Sequence, residues 1–302
     1  MGSNPLKFDG EGVDLFMLFL KNLVLSILTL GIYSFWGNVE QIKYVYQHTS
    51  FQGQRFEYTA TGKEKFIAFL KVLGLLIVVM LAIGLLSQVV GPIVFILFYL
   101  GIIGIIPMIQ YGARHYMLSR SKLYNIPFSL QGDNMEFTKL TWKMIFITLI
   151  TFGIAAPWLI VAQQKYLMNH TKYGQLEFAF DGEGNDLFVT LLLGNLLSAV
   201  TLGIYLPWFL ENLREFDLNH TTFDGERVRY NKSGLDFLIL IIVNLLIIVF
   251  TLGFGTPWVM IRVIKYVTER IEYSKQIDFT TVYNTQSNKS SAFGEEAMAF
   301  LQ

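Results

Sequence analysis

The sequence predicts a mainly α membrane protein: a polytopic bundle of about six spanning helices built from internal repeats, with interfacial amphipathic helices and short surface β-strands. Three observations carry this prediction. The pattern Thr-Leu/Phe-Gly-x-x-x-Pro/Phe-Trp occurs at residues 29–36, 151–158, 201–208 and 251–258, each time closing an apolar run of roughly 20 residues, the length of a bilayer crossing. Hydrophobic residues make up 53% of the chain and charged residues only 15%, where soluble domains carry about 25% charged residues. The aromatic anchors Tyr44, Tyr116, Tyr166, Phe216 and Tyr266 recur at intervals of 72, 50, 50 and 50 residues, a spacing characteristic of arrays of supersecondary units.

Taken in order, the repeat divides residues 1–283 into five units, at about 8–58, 59–130, 131–180, 181–230 and 231–283, followed by a polar tail at 284–302 expected to be mobile. Each unit reads as a helix, a bend, a short helix and a strand. Spanning segments are expected at 15–32, 66–87, 92–109, 137–156, 187–206 and 237–255. The second unit lacks Thr-x-Gly and Trp, and its longer interval is accounted for by an additional helix around Gly91. The strands are placed by period-two alternation at Phe56/Tyr58, Phe128/Leu130, Phe178/Phe180 and Val228/Tyr230, after turns marked by Gly53, Gly174 or Gly225. With one crossing per unit, copies 50 residues apart point in opposite directions, as in inverted-repeat transporters. If the apolar segments are instead re-entrant, all strands lie on one face. Lys and Arg are too evenly spread to set an orientation by the positive-inside rule.

The Gly-x-x-x-Pro-Trp elements combine a flexible residue, a helix breaker and a headgroup-seeking ring. Gly31 and Trp36, Gly153, Pro157 and Trp158, Gly203, Pro207 and Trp208, and Gly253, Pro257 and Trp258 therefore read as hinges and interfacial anchors. The segments that follow mix charge with apolar residues at helical spacing and read as interfacial helices. They end at His48, Arg120, His170, His220 and Arg270, where a cation complements the helix dipole and bonds free carbonyls. Asp14, Asp186 and Asp236 are placed to cap the helices that follow. The glycine-interleaved acids Asp9, Glu11 and Asp14, copied as Asp181, Glu183 and Asp186, read as turn and cap chemistry before a cation site. Lys21, Asn22, Lys71, Lys143, Asn195 and Asn244 are the polar residues inside the apolar runs, where ionisable groups are functional candidates.

Other classes are excluded or disfavoured. With 23 acidic and 23 basic residues the net charge is zero, which removes the electrostatic footprint of nucleic-acid binding. Cysteine is absent, so disulfides, thiolate metal sites and cysteine nucleophiles fall away. No nucleophile–base or metal-protease arrangement stands out, and the expectation is a protein that is not an enzyme and uses no cofactor. The N-terminus does not read as a cleavable signal peptide.

The run 8–12, residues 29–36, Lys43-Tyr44, His48-Thr49 and residues 55–58 resemble the YjgN family of bacterial inner-membrane proteins, a domain of unknown function. The resemblance extends to about Tyr283. It implies a multi-pass protein of the bacterial cytoplasmic membrane and carries no catalytic residues with it. The expected function is a small-solute transporter or channel built from inverted repeats. The alternative is a structural or assembly module that binds lipid, another membrane protein or a second copy of itself.

Overall fold

The computed structural model describes residues 6–282 apart from residue 92; the expected tail at 284–302 lies outside them. The first unit runs from β1 (Leu6–Phe8) into α1 (Gly12–Leu28), reverses into α2 (Ser34–Gln47), and ends in a hairpin of β2 (Thr49–Phe51) and β3 (Gln54–Tyr58). The same order then recurs. The second unit has α3 (Gly62–Val90), α4 (Ile93–Arg120), β4 (Ser121–Leu123) and β5 (Ile126–Leu130); the third has α5 (Asn134–Ile150), α6 (Ala156–Asn169), β6 (Thr171–Tyr173) and β7 (Leu176–Phe180). The fourth has α7 (Gly184–Val200), α8 (Leu206–Asn219), β8 (Thr221–Phe223), β9 (Glu226–Arg227) and β10 (Arg229–Tyr230), and the fifth α9 (Gly234–Phe250), α10 (Thr256–Thr268) and β11 (Ile271–Glu272).

The strands form one antiparallel meander, β1 through β9 in sequence order, continued by the β10–β11 pair. Its tight turns put Gln52–Gly53, Tyr124–Asn125 and Asp224–Gly225 at positive φ, the combination that matches strand twist in two-residue hairpins. Register places Phe56 opposite Leu123, Phe128 opposite Tyr173 and Phe178 opposite Phe223. These pairs face inward and fill the half-barrel with a core of Leu123, Ile126, Tyr173, Phe223 and Tyr273. Residues 273–282 cover its open side: Phe279 and Val282 are buried in that core, Phe51 meets Tyr273 and Phe279, and Gln52 is bonded to Lys275 O and Ile277 N.

The helices close a ring above the sheet. Each packs on the next from α1 to α10, and α10 packs back on α1 and β1.

The six-span inverted bundle is overturned by this arrangement. The first helix of every unit is followed by a reversal and a second helix that returns the chain to the strand side, the run expected at 92–109 being part of one such returning helix, α4, so successive units point the same way. The runs expected at 15–32, 137–156, 187–206 and 237–255 are 17-residue helices plus a turn. Seventeen residues rise about 25 Å, short of a hydrocarbon core of about 30 Å. Only Gly62–Gln88 is long and apolar enough to cross among the described residues. The second unit holds no additional helix; instead α3 has 29 residues and α4 has 28, and its reversal has moved to Gly91. The short strands join into a nine-stranded meander, β1 to β9, and the two-stranded β10–β11 sheet. The first strand of each hairpin, only three residues long, escaped the alternation signal.

Candidate membrane interface and the joints of the ring

The reversal between the two helices of a unit is built by the threonine and glycine of the repeated motif. In the fourth unit the Thr201 hydroxyl donates to Leu197 O at 2.7 Å, completing the end of α7, and accepts from Tyr205 N at 3.0 Å, opening α8. The other turn amides are paired as well: Thr201 N to Leu197 O, Leu202 N to Ala199 O, Gly203 N to Ser198 O, Ile204 N to Thr201 O and Leu206 N to Gly203 O. Next comes Pro207, which has no N–H to satisfy. Thr29, Thr151 and Thr251 repeat this pattern on Tyr33, Ala155 and Gly255.

The geometry requires two successive residues at positive φ. Gly31, Gly153, Gly203 and Gly253 stand at φ 90, and Leu30, Phe152, Leu202 and Leu252 at φ 50–51. A bulky side chain in the left-handed region is strained. These four are also 95%, 97%, 94% and 88% exposed, so each turn presents one large apolar side chain at its apex. Around them Ile27, Leu28, Leu149, Ile150, Val200, Ile204, Val249 and Phe250 are exposed too.

The motif tryptophans do something that sequence reasoning missed. A side chain at Gly62 would collide with Trp36, one at Gly184 with Trp158, and one at Gly234 with Trp208. Each returning helix thus seats its tryptophan on the glycine that opens the next unit. The signal was available: 26 positions separate the members of all three pairs, and where the second unit has Met108 in place of Trp, the third opens with Asn134 in place of Gly. Twenty-six positions after Trp258 stands Asn284 rather than glycine; Trp258 instead meets Gly12, and the ring closes.

A second joint ties three of the returning helices, α2, α6 and α10, to the start of their own hairpins. The Tyr44 hydroxyl bonds Glu11 N and O, Tyr166 bonds Asp133 N and O, and Tyr266 donates to Ser233 O. Four residues on, Nδ1 of His48, His170 and His220 and the Arg270 guanidinium donate to the carbonyls of Tyr44, Tyr166, Phe216 and Tyr266, at 2.7–3.2 Å. Arg120 lies over the Tyr116 ring and 3.4 Å from Glu64. The three histidines and Arg270 thus finish helix ends, while Arg120 engages Glu64 and the Tyr116 ring. The acids before the odd-numbered helices are also engaged: Asp9 pairs with Arg55 and Asp181 with Arg227, and the Arg55 guanidinium holds the Asp9 carboxyl below the usual carboxylate range. Asp14, Asp186 and Asp236 lie within the first turn rather than at the cap. Side-chain caps come from Thr61, Asp133 and Ser233.

The polar residues of the apolar runs are placed separately rather than converging. Lys21 pairs with Glu40 at 2.8 Å. The buried Asn22 packs on the backbone of Gly37, bonding its carbonyl at 3.2 Å. The fourth unit reverses the sizes, with Gly194 against Phe209. Asn195 bonds Leu191 O within its own helix, while the buried Asn244 accepts from Arg262 at 3.0 Å. Lys71 and Lys143 lie on exposed flanks of α3 and α5.

One cluster was not foreseen. Glu211, fully buried, accepts from Tyr230, Tyr266, Ser233 N and Arg214 at 2.7–3.2 Å. The corresponding positions three residues after Trp36, Trp158 and Trp258 are Val39, Val161 and Ile261, all buried. Burial and the Glu211 charge push the Tyr230 hydroxyl up to about 12.

The protein family described as "Bacterial protein of unknown function (DUF898)" matches residues 3–194, 175–239 and 212–300, nearly the whole chain. The chain belongs to that family. Among curated relatives, the inner membrane protein YjgN of Salmonella typhimurium is 32% identical over 148 residues, 49% of this chain and 36% of that protein. The protein of the same name from Escherichia coli K12 is 28% identical over 151 residues, 50% of this chain and 37% of that protein. The matched stretch thus spans little more than a third of the length of these relatives. No solved structure matches. Family membership and the apolar exposed hairpins together support a bacterial membrane protein located in the inner membrane.

Proposed function

We propose that the chain is a non-enzymatic assembly module of the bacterial inner membrane, which anchors itself through its hairpins and presents its sheet to a membrane-protein partner or a second copy. The observation that carries this reading is the division of the molecule. Its helix tips are apolar and exposed, whereas the half-barrel at the other end is filled with aromatic side chains from Phe51 to Phe279, which favours a packed support over a conduit. Asp9, Asp181, Lys21, Arg270 and the Glu211 cluster are tied into helix ends and ion pairs, so the reading assigns them structural work.

Purification in lipid nanodiscs should yield a defined oligomer or a stoichiometric membrane-protein partner. A clean monomer with no co-purifying partner contradicts the proposal. A small-solute transporter or channel is the second reading, favoured by one observation: the helices encircle a common axis. Proteoliposomes that carry ions or amino acids no faster than empty vesicles remove it, and flux above that level favours it over assembly.

A further inference from the structure

We infer that the four short hairpins, α1–α2, α5–α6, α7–α8 and α9–α10, are re-entrant: they enter one leaflet from the sheet side, turn inside its hydrocarbon and leave by the same face, while α3–α4 crosses. The surface they offer is complementary to lipid acyl chains. This rests on the membrane placement in the proposed function but not on the assembly role.

Four independent features lead there. Leu30, Phe152, Leu202 and Leu252 are the most exposed large apolar residues at their turns, and water gives no reason to place a strained leucine or phenylalanine at an apex. Non-helical backbone is tolerated in hydrocarbon only where its polar groups are internally satisfied. The amides of these turns meet that condition through Thr Oγ1 in all four, with proline removing one N–H in three of them and Phe35 N paired to Ile32 O in the first, an arrangement unnecessary in water, where solvent would serve. Next, the charged and amide residues of the rising helices stand well short of the tips. Lys21 with Glu40, Lys143, Asn195, and Asn244 with Arg262 occupy the tenth to twelfth positions of the rising helices and their partners across the hairpin. At 1.5 Å per residue the apolar remainder of each helix is about 10 Å long, within a leaflet of about 15 Å. Finally, α3 continues the same apolar surface. It is 12 residues longer than α1, hence about 18 Å taller, and its window of spanning length is only 6% buried.

The absence of cysteine allows a direct test on the full chain. Single variants Leu30→Cys, Phe152→Cys, Leu202→Cys and Leu252→Cys, with Ile154→Cys and Ile204→Cys as second positions should a tip variant misfold, are labelled in detergent with an environment-sensitive fluorophore. They are then reconstituted in phosphatidylcholine–phosphatidylglycerol vesicles. The expected result is a blue-shifted emission, quenched several-fold more by nitroxides placed deep on the acyl chain than by headgroup nitroxides, and indifferent to aqueous iodide. A cysteine at Gln88 should react with an impermeant maleimide only from the face opposite to one at Glu177. Iodide quenching at the tips places them in water and overturns the inference. Insensitivity to both nitroxides and iodide, which indicates a protein cover, also overturns it, and Gln88 and Glu177 reacting from one face overturns the crossing of α3–α4. Transport activity in the same vesicles would remove the assembly reading while leaving these outcomes unaffected.

Discussion

The hydroxyl of Thr201 performs two tasks at 2.7 and 3.0 Å, ending one helix and starting the next. Replacing it with valine keeps the shape and strands the amide of Tyr205. Thr201→Val should lower stability by about 1 kcal/mol, read as a shift of the thermal transition in mild detergent; no shift would mean that the hydroxyl is idle. The tryptophan joint makes a sharper statement. Gly184→Ala should cost about 1–3 kcal/mol, because a methyl group there is forced into the Trp158 ring. In a Trp158→Met background the cost should fall by more than half, since the joint between the second and third units has Met108 and Asn134 at these positions. Equal costs in both backgrounds would show that the ring is not what excludes a side chain. At this scale the sequence revealed the recurring positions but not their partners. Spacing of 26 residues was legible; which atom met which was not, because Trp and Gly read individually as membrane anchor and hinge.

At the scale of elements, the fourth unit departs from its neighbours by placing Glu211 where they hold aliphatic side chains. A buried carboxylate held by four donors is not evidence of stability in itself, but removing it leaves the Tyr230 hydroxyl and the Ser233 amide without an acceptor. Glu211→Val should therefore cost about 2–4 kcal/mol. Adding Tyr230→Phe recreates the Val161 and Phe180 pair of the third unit and frees Tyr266 to bond Ser233 N as Tyr44 bonds Glu11 N. The double variant should recover most of the loss in a denaturation series. If it does not, Glu211 holds the joint between α8, α9 and α10 in a way the other units do not need. Helices, bends and the second strand of each hairpin were readable from periodicity and glycine. Reversal was not, because an apolar run of about 20 residues has the same pattern whether it crosses or folds back, and leucine gives no sign of a positive φ.

For the whole molecule, the decisive fact is that the first four units return to one nine-stranded sheet and the fifth to the adjoining β10–β11 pair, closed by Trp258 on Gly12 and by residues 273–282 over the half-barrel. Closure joins the first and last of these units, Trp258 meeting Gly12 as Trp208 meets Gly234, and it fixes the direction in which every hairpin points. Counting apolar runs suggested alternation across the membrane; sheet pairing, a long-range property carried by three-residue strands, decides otherwise. The most direct test is the sidedness of the hairpins that carry Gly53 and Gly174. Cysteines at Glu57 and Glu177, both exposed on the sheet, are labelled with an impermeant maleimide in oriented vesicles. The ring predicts reaction of both from the same face. Reaction from opposite faces would contradict it and restore a chain that crosses between them an odd number of times.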